Sequence, residues 1–248
     1  MSKNILVSYI IAAVGIFIVW YFIAMIFSVA MIPSPILVLQ TLIDIFFSDI
    51  AIHAFYSLIR IIAGLFLAIV IGYPLGLAMG YFKKCDRFLS PLVYLTYPIP
   101  KISLLPIVML LLGVGEFAKI LMIFLIIVFQ VVIAVRDGIR EIPKETFYPL
   151  ISLGASFKNF FVYVLWPAVL PKFLTAIRVA MATAISVLFF TETFGTKYGM
   201  GYFIMDAWLR VNYLEMYAGI IALSYIGLFI FGLIDFIEHI TCRWQKRR

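Results

Sequence analysis

Four polar side chains stand inside stretches that are otherwise apolar: Lys101, Gln130, Arg178 and Glu192. Burying an ionised group in hydrocarbon costs a few kcal/mol, so such residues mark a pathway, an ion pair or a functional site. Lys101, set among Pro91, Pro98, Pro100 and Pro106, admits two readings. As a cation lining a path it suits an anionic substrate. As a structural residue it pairs with a helix C-terminus or snorkels out of a short span. For Arg178 and Glu192, pairing inside a helix bundle stands beside substrate contact. Gln130 is the one strongly polar side chain in its run.

Other chemistry is poorly served. A catalytic or metal centre needs converging His, Asp, Glu or Cys side chains. The two histidines, His53 and His239, fall at the ends of apolar runs, and the two cysteines, Cys85 and Cys242, lie in or near basic segments. No metal site is expected. A disulfide is not expected either, because basic segments of a membrane protein gather on the reducing, cytoplasmic side. The sequence has no Gly-x-x-x-x-Gly-Lys-Ser/Thr phosphate loop. Gly199-x-Gly201 follows an apolar run without a βαβ context, so it reads as a turn needing positive φ.

The apolar runs must position these residues. Of 248 residues 65% are hydrophobic and 12% are charged, against about a quarter charged in a soluble domain. The chain reads as an all-α polytopic membrane protein, one transmembrane domain over residues 1–248. Six spans are expected, at about 5–31, 56–81, 89–112, 118–135, 173–194 and 216–240. Ser28-Val29-Ala30 resembles a signal cleavage site, but the apolar run before it is about twice a usual signal core, which favours a retained helix. Pro33-Ser34-Pro35 ends that helix. Ile36–Ile52, with Asp44 and Asp49 among Leu, Ile and Phe, reads as a short interfacial helix. The prolines of the third span predict a broken helix, tolerable where protein or water covers the backbone.

In the second span Gly64, Ala68, Gly72, Gly76 and Gly80 recur at every fourth position. On a helix they form one smooth stripe that admits a neighbouring helix closely, and Pro74 should kink the same helix.

Charge placement sets the orientation, and the net charge of +7 reports topology rather than affinity for nucleic acid. With the N-terminus inside, the inner segments hold Lys3, Lys83, Lys84, Arg87, Arg136, Arg140, Lys144, Lys158, Lys172, Arg243, Lys246, Arg247 and Arg248. The outer segments hold Lys119, Lys197 and Arg210. Both termini, and the polar loop over residues 136–172, are therefore expected in the cytoplasm.

A structureless connection of that length is unusual. Within it Phe157, Phe160, Phe161, Val164 and Leu165 fall on one helical face, with Lys158 and Asn159 off it. Ser156 is placed to start this helix, Pro167 to stop it, and Gly154 to end a short helix before it. An interfacial hairpin and a docking element for a cytoplasmic partner are the two readings.

The loop resembles that of ATP-binding cassette importer permeases, which runs Glu-Ala-Ala, three residues, Gly, nine residues, Ile-x-Leu-Pro. Aligned on Gly154, the closing part falls on Val164-Leu165-Trp166-Pro167, whereas the opening triplet falls on Tyr148-Pro149-Leu150. The nearest acid is Glu145, one turn upstream. Elsewhere Ile32-Pro33-Ser34-Pro35, Ser57-Leu58-Ile59-Arg60 with Gly64, Gly72-Tyr73-Pro74-Leu75-Gly76, Leu104-Leu105-Pro106, Arg178-Val179-Ala180, Glu192 and Gly199-Met200-Gly201-Tyr202 resemble the nitrate/sulfonate/taurine/bicarbonate class in order and spacing.

The resemblance implies a type I importer permease fold in a prokaryotic cell membrane and a subunit that hydrolyses nothing itself. Its implied partners are a second permease copy, as a homodimer, two cytoplasmic ATPases carrying ATP-Mg, an extracytoplasmic binding protein and membrane lipid. No cofactor is implied on this subunit. The substrate class implied is a small anion, with a thiamine-precursor heterocycle as the alternative. Coupling would fall to Glu145, Phe147, Tyr148, Leu150, Gly154, Ala155, Val164 and Pro167, with apolar contact around Phe147, Tyr148 and Leu150 replacing the missing triplet. A stand-alone secondary transporter is the competing class. It predicts paired broken helices in the two halves, and only one proline-broken span is found.

Overall fold

The computed structural model describes residues 3–27 and 29–244. Ser28 of the Ser28-Val29-Ala30 triplet and Lys246, Arg247 and Arg248 of the basic tail lie outside the described residues, as does the side chain of Lys3. Among the described residues every regular element is helical. The α-helices are α1 (Lys3–Phe27), α2 (Pro35–Ile45), α3 (Ala51–Tyr81), α4 (Lys83–Thr96), α5 (Leu105–Leu112), α6 (Glu116–Arg140), α7 (Tyr148–Ser152), α8 (Phe157–Phe160), α9 (Trp166–Glu192), α10 (Met200–Leu209) and α11 (Tyr213–Thr241).

Pro33-Ser34-Pro35 starts α2 but does not stop α1, which ends earlier, at Phe27, with a turn over residues 30–32 between them. The Ser34 hydroxyl accepts from the Leu37 N–H at 3.4 Å, and Pro35 takes a first-turn position where its missing N–H costs nothing. The expected separate interfacial helix over Ile36–Ile52 is not what forms. With no Gly or Pro between Pro35 and Gly64 to break the chain, α2 passes through one wide π-turn, Phe46–Ile50, directly into α3. The result is a helical run of 47 residues from Pro35 to Tyr81.

The proline-rich third span is broken. α4 ends at Thr96, residues 97–100 turn, a 3-10 turn covers Lys101–Leu104, and α5 follows at 82° to α4. Pro98 and Pro100 cannot donate into the α4 ladder, and each disfavours helix in the residue before it. Counting this bent pair as one span gives six candidate spans, and otherwise five.

Several expected boundaries move, the third span beginning at Lys83 rather than near residue 89 and the fifth at Trp166 rather than near residue 173. Arg136-Asp137-Gly138, read as the start of a loop, is helical, because α6 runs on to Arg140 and a Cβ at Gly138 would lie 3.4 Å from Val169. Pro167 does not stop the helix before it. A π-turn over Phe161–Leu165, closed by the Trp166 N–H on the Phe161 carbonyl, widens the ladder just before the proline. Pro167 then occupies the first turn of α9, which also carries Pro171 inside it.

The chain forms two compact units. One joins the chain up to Tyr56 with Lys197–Tyr225. Here the Trp20 and Tyr217 rings lie 5.6 Å apart, and His53 Nδ1 lies 3.0 Å from the Gly199 N. The other joins Ser57–Thr196 with the chain from Ile226 onward. Its core is the packing of α6 on α9, with Ile127, Val131, Val135, Ile177, Ala180 and Ala184 buried.

The small-residue stripe of α3 lies against α6. A Cβ added at Gly64 would stand 2.5 Å from Ile123 Cγ2, at Gly76 2.7 Å from the Val132 carbonyl oxygen, and at Gly80 2.8 Å from Ile139 Cβ. A Cβ at Gly72 would lie 3.0 Å from Val131, and Ala68 is fully buried. The helices approach backbone to backbone, as such stripes allow.

Candidate functional site

The break after α4, the middle of α6 and one face of α9 line two clefts. One, of about 670 Å³, is walled by Tyr97, Lys101, Phe129, Gln130, Thr183, Ser186 and Phe190, among others. The other, of about 400 Å³, is walled by Tyr97, Gln130, Lys172, Thr175 and Val179 with apolar neighbours. Tyr97 and Gln130 belong to both. The charged residues lining them are Lys101 and Lys172, and no carboxylate is among the lining residues.

Lys101 sits at the end of α4 and in a cleft wall. Its ammonium donates to the Thr96 carbonyl, to that of Ile99 at 3.1 Å and to that of Tyr97 at 3.4 Å, closing the C-terminus of α4. It also stands 4.7 Å from the Phe129 ring centroid, in the wall of the larger cleft. A cation at a helix C-terminus is stabilised by the exposed carbonyl dipoles, so the break in the span and the position of the charge depend on each other.

Gln130 projects from the middle of α6 into the shared part of the clefts, and its amide has no hydrogen-bond partner among the described residues. Arg178 and Glu192 line neither cleft. Arg178 donates to Glu238 at 2.6 Å and pairs with Asp235, tying α9 to α11. Glu192 is fully buried.

Around Glu192 the structure assembles a network that sequence reasoning left scattered. Arg60 Nη1 donates to Glu192 Oε1 at 2.5 Å, and the Ser57 hydroxyl lies 2.8 Å from both carboxylate oxygens. The same guanidinium makes a bidentate pair with Glu116 through Nε and Nη2, each at 2.6 Å. Lys119, also buried, lies 3.8 Å from Glu116 and donates to the Val114 carbonyl. Lys119, counted in an outer segment from the sequence, is thus part of the interior. Two cations and two anions join α3, α6 and α9 and neutralise one another.

The loop between α6 and α9 presents a different surface. After a 3-10 turn over Lys144–Phe147, α7 ends in a Schellman motif: Gly154, at φ +63°, donates to the Ile151 carbonyl, and Ala155 donates to that of Leu150. Ser156 stands at the N-cap of α8 without a side-chain cap bond. Phe160, Phe161, Val164 and Leu165 turn inward, whereas Lys158 and Asn159 are exposed; Phe157, expected on the inward face, is instead 45% exposed, with its ring against Tyr81 and Phe82. Phe147, expected on the contact surface, instead packs inward 6.0 Å from the Phe160 ring. Tyr148, Ile151 and Leu153 face out, Leu153 at 80% exposed, and Leu150 is half-buried. Glu145 is exposed, with no ion pair among the described residues.

Residues 68–241 match the family described as binding-protein-dependent transport system inner membrane component. The chain belongs to this family. It is a permease, a multi-pass inner-membrane protein forming the transmembrane path of an ATP-binding cassette importer. It is 30% identical to the taurine transport system permease protein TauC of Escherichia coli (strain K12), over 93% of this chain and 84% of that one. It is 29% identical to the formylaminopyrimidine transport permease protein ThiX of Halalkalibacterium halodurans, over 88% and 87%. Among solved structures it superposes on inward-facing forms of the MetNI methionine ABC transporter at a TM-score of 0.64, with 22% identity, over 76% of this chain and 94% of that one. That likeness is one of fold.

In the permease, sequence reasoning had singled out Gln130, Lys101 and Glu192 but missed the network itself, in which Arg60 joins Glu116 to Glu192, Ser57 bonds Glu192 and Lys119 lies beside Glu116. The spacing of Ser57 and Arg60, one helical turn apart, was the available signal. Ile151 and Leu153 were missed because exposure cannot be read from hydropathy alone in a chain this apolar.

Proposed function

We propose that the permease carries a small anion, such as taurine, another sulfonate, nitrate or bicarbonate. The observation behind this reading is the cleft lining, whose charged members are both lysines. A path lined by one sign of charge favours the opposite sign in transit. In this reading the permease binds no cofactor and hydrolyses nothing. A second copy completes the path opposite the clefts, and two separate ATPases holding ATP-Mg dock on the loop through Tyr148, Ile151 and Leu153. An extracytoplasmic binding protein delivers the cargo. Residues 1–248 act as one six-span permease with both termini on the ATPase side, the arrangement that the placement of Lys and Arg favours.

The second reading is a pyrimidine-like heterocycle. Tyr97, Phe129 and Phe190 in the larger cleft offer faces on which a flat ring stacks, and one relative is named for formylaminopyrimidine. The test is uptake by the importer rebuilt in liposomes with its own ATPase and binding protein. Taurine, nitrate or methanesulfonate accumulation supports the anion. Accumulation of formylaminopyrimidine with none of the three overturns it.

A further inference from the structure

We propose that Gln130 is the contact that passes the anion between the two clefts, while Lys101 supplies charge without touching it. The inference rests on the anion reading above and adds the residue that reads the cargo. Among the described lining residues only Gln130 and Tyr97 belong to both clefts, which puts the Gln130 carboxamide where the two adjoin.

Apart from the Tyr97 and Thr183 hydroxyls, the other polar side chains lining the clefts are already committed. Lys101 spends its ammonium on the carbonyls of Thr96, Tyr97 and Ile99. Lys172 is paired with Glu141. The Thr175 hydroxyl donates to the Pro171 carbonyl at 3.0 Å, and that of Ser186 donates to the Ala182 carbonyl at 3.2 Å. Gln130 keeps both amide N–H donors free of any partner among the described residues. Half-burying an amide without a hydrogen bond is unfavourable, and an oxyanion supplies the missing acceptor.

The chemistry also suits passage. A cation in direct contact would hold the anion too long, whereas conduction needs a site weak enough to release it. A neutral donor, with Lys101 acting from a fixed distance, gives that balance. The class of ligand is a compact oxyanion with sulfonate, nitrate or carbonate oxygens. A zwitterion such as taurine also fits, because the amide oxygen accepts from its ammonium.

The experiment uses the complete importer in liposomes, with taurine, methanesulfonate and nitrate as probes, and reads anion imported per ATP hydrolysed. Gln130→Met removes the donors at similar size and should lower that ratio. Gln130→Glu sets like charge against the anion and should lower it by about tenfold or more, the equivalent of roughly 1.4 kcal/mol. Gln130→Asn keeps the amide and should recover part of the ratio. A structural role predicts that all three variants lower hydrolysis and uptake in parallel, leaving the ratio at the wild-type value, and that outcome overturns the proposal. If the wild-type importer carries none of the three probes, the anion reading itself fails and this inference with it. If it carries one and the Gln130→Met and Gln130→Glu ratios match wild type, the anion reading stands and Gln130 is not the contact.

Discussion

Arg60 Nη1 and Glu192 Oε1 stand 2.5 Å apart with both side chains shut off from solvent. Glu116, on the other side of the same guanidinium, is 53% exposed. The network is therefore unequal: water can replace Arg60 at Glu116 but not at Glu192. Removing one partner of a buried pair leaves an uncompensated charge and costs about 3–5 kcal/mol, whereas removing both is often nearly neutral. Arg60→Met alone should sharply lower the unfolding temperature in detergent. The double variant Arg60→Met with Glu192→Leu should recover much of that loss. Additive losses in the double variant would show that the two residues do not act as a pair.

The contact of α3 with α6 rests on absent side chains. At Gly76 a methyl group would meet the Val132 carbonyl oxygen at 2.7 Å and Val135 Cβ at 2.8 Å, and backbone cannot step aside. Overpacking of this kind costs about 1–3 kcal/mol. Gly76→Ala should destabilise the permease by that amount and Gly72→Ala by less, since its nearest atom lies at 3.0 Å. Gly15→Ala is the control, with nothing within 4 Å of the added carbon. Thermal unfolding monitored by loss of the monodisperse peak would rank the three variants, and a harmless Gly76→Ala would refute close packing on this face.

The sequence carried the fold well where the signal was periodic. The every-fourth-residue stripe, the proline-broken third span and the inward face of Phe160, Phe161, Val164 and Leu165 were each legible because a helix repeats every 3.6 residues. Boundaries were not. Pro167 and Gly138 carry the usual marks of a helix end, but a π-turn at Phe161–Leu165 and close packing on Val169 override them. The same limit applies to charge. Hydropathy marks Lys101 and Glu192 as costly, but only tertiary placement shows that one faces a cleft and the other faces Arg60.

Val211 holds φ +59°, a region that β-branched side chains rarely adopt. It occupies the position after the C-cap of α10, where the Val211 N–H reaches the Trp208 carbonyl and the Asn212 N–H reaches that of Ala207. This Schellman position is ordinarily a glycine's. Left-handed backbone costs an L-residue about 1–2 kcal/mol, and the side chain, 65% exposed, has little burial to offset it. Val211→Gly should raise the unfolding temperature by a few degrees, the shift expected from about 1 kcal/mol in a chain of this size. A fall in stability would mean that the exposed isopropyl group contributes more than the backbone strain removes.

The outward face of α7 gives the last prediction. Tyr148, Ile151 and Leu153 are each more than half exposed on a segment without buried residues, so changing them should not disturb the packing beneath. An apolar side chain that fills a partner's pocket typically loses 2 kcal/mol or more of binding when truncated or charged. Leu153→Asp and Ile151→Asp should therefore reduce binding-protein-stimulated ATP hydrolysis by roughly tenfold or more, with unfolding temperature unchanged. Gly154→Val should also lower it, through strain at φ +63° rather than a clash, since nothing lies within 4 Å of its added carbon. Gly154→Asn, better tolerated in left-handed backbone, should retain more. Glu145→Gln should have the smallest effect if apolar contact dominates. If Glu145→Gln proves the most damaging of the five, the exposed acid carries the contact, and the apolar face of α7 is left without the coupling role proposed for it.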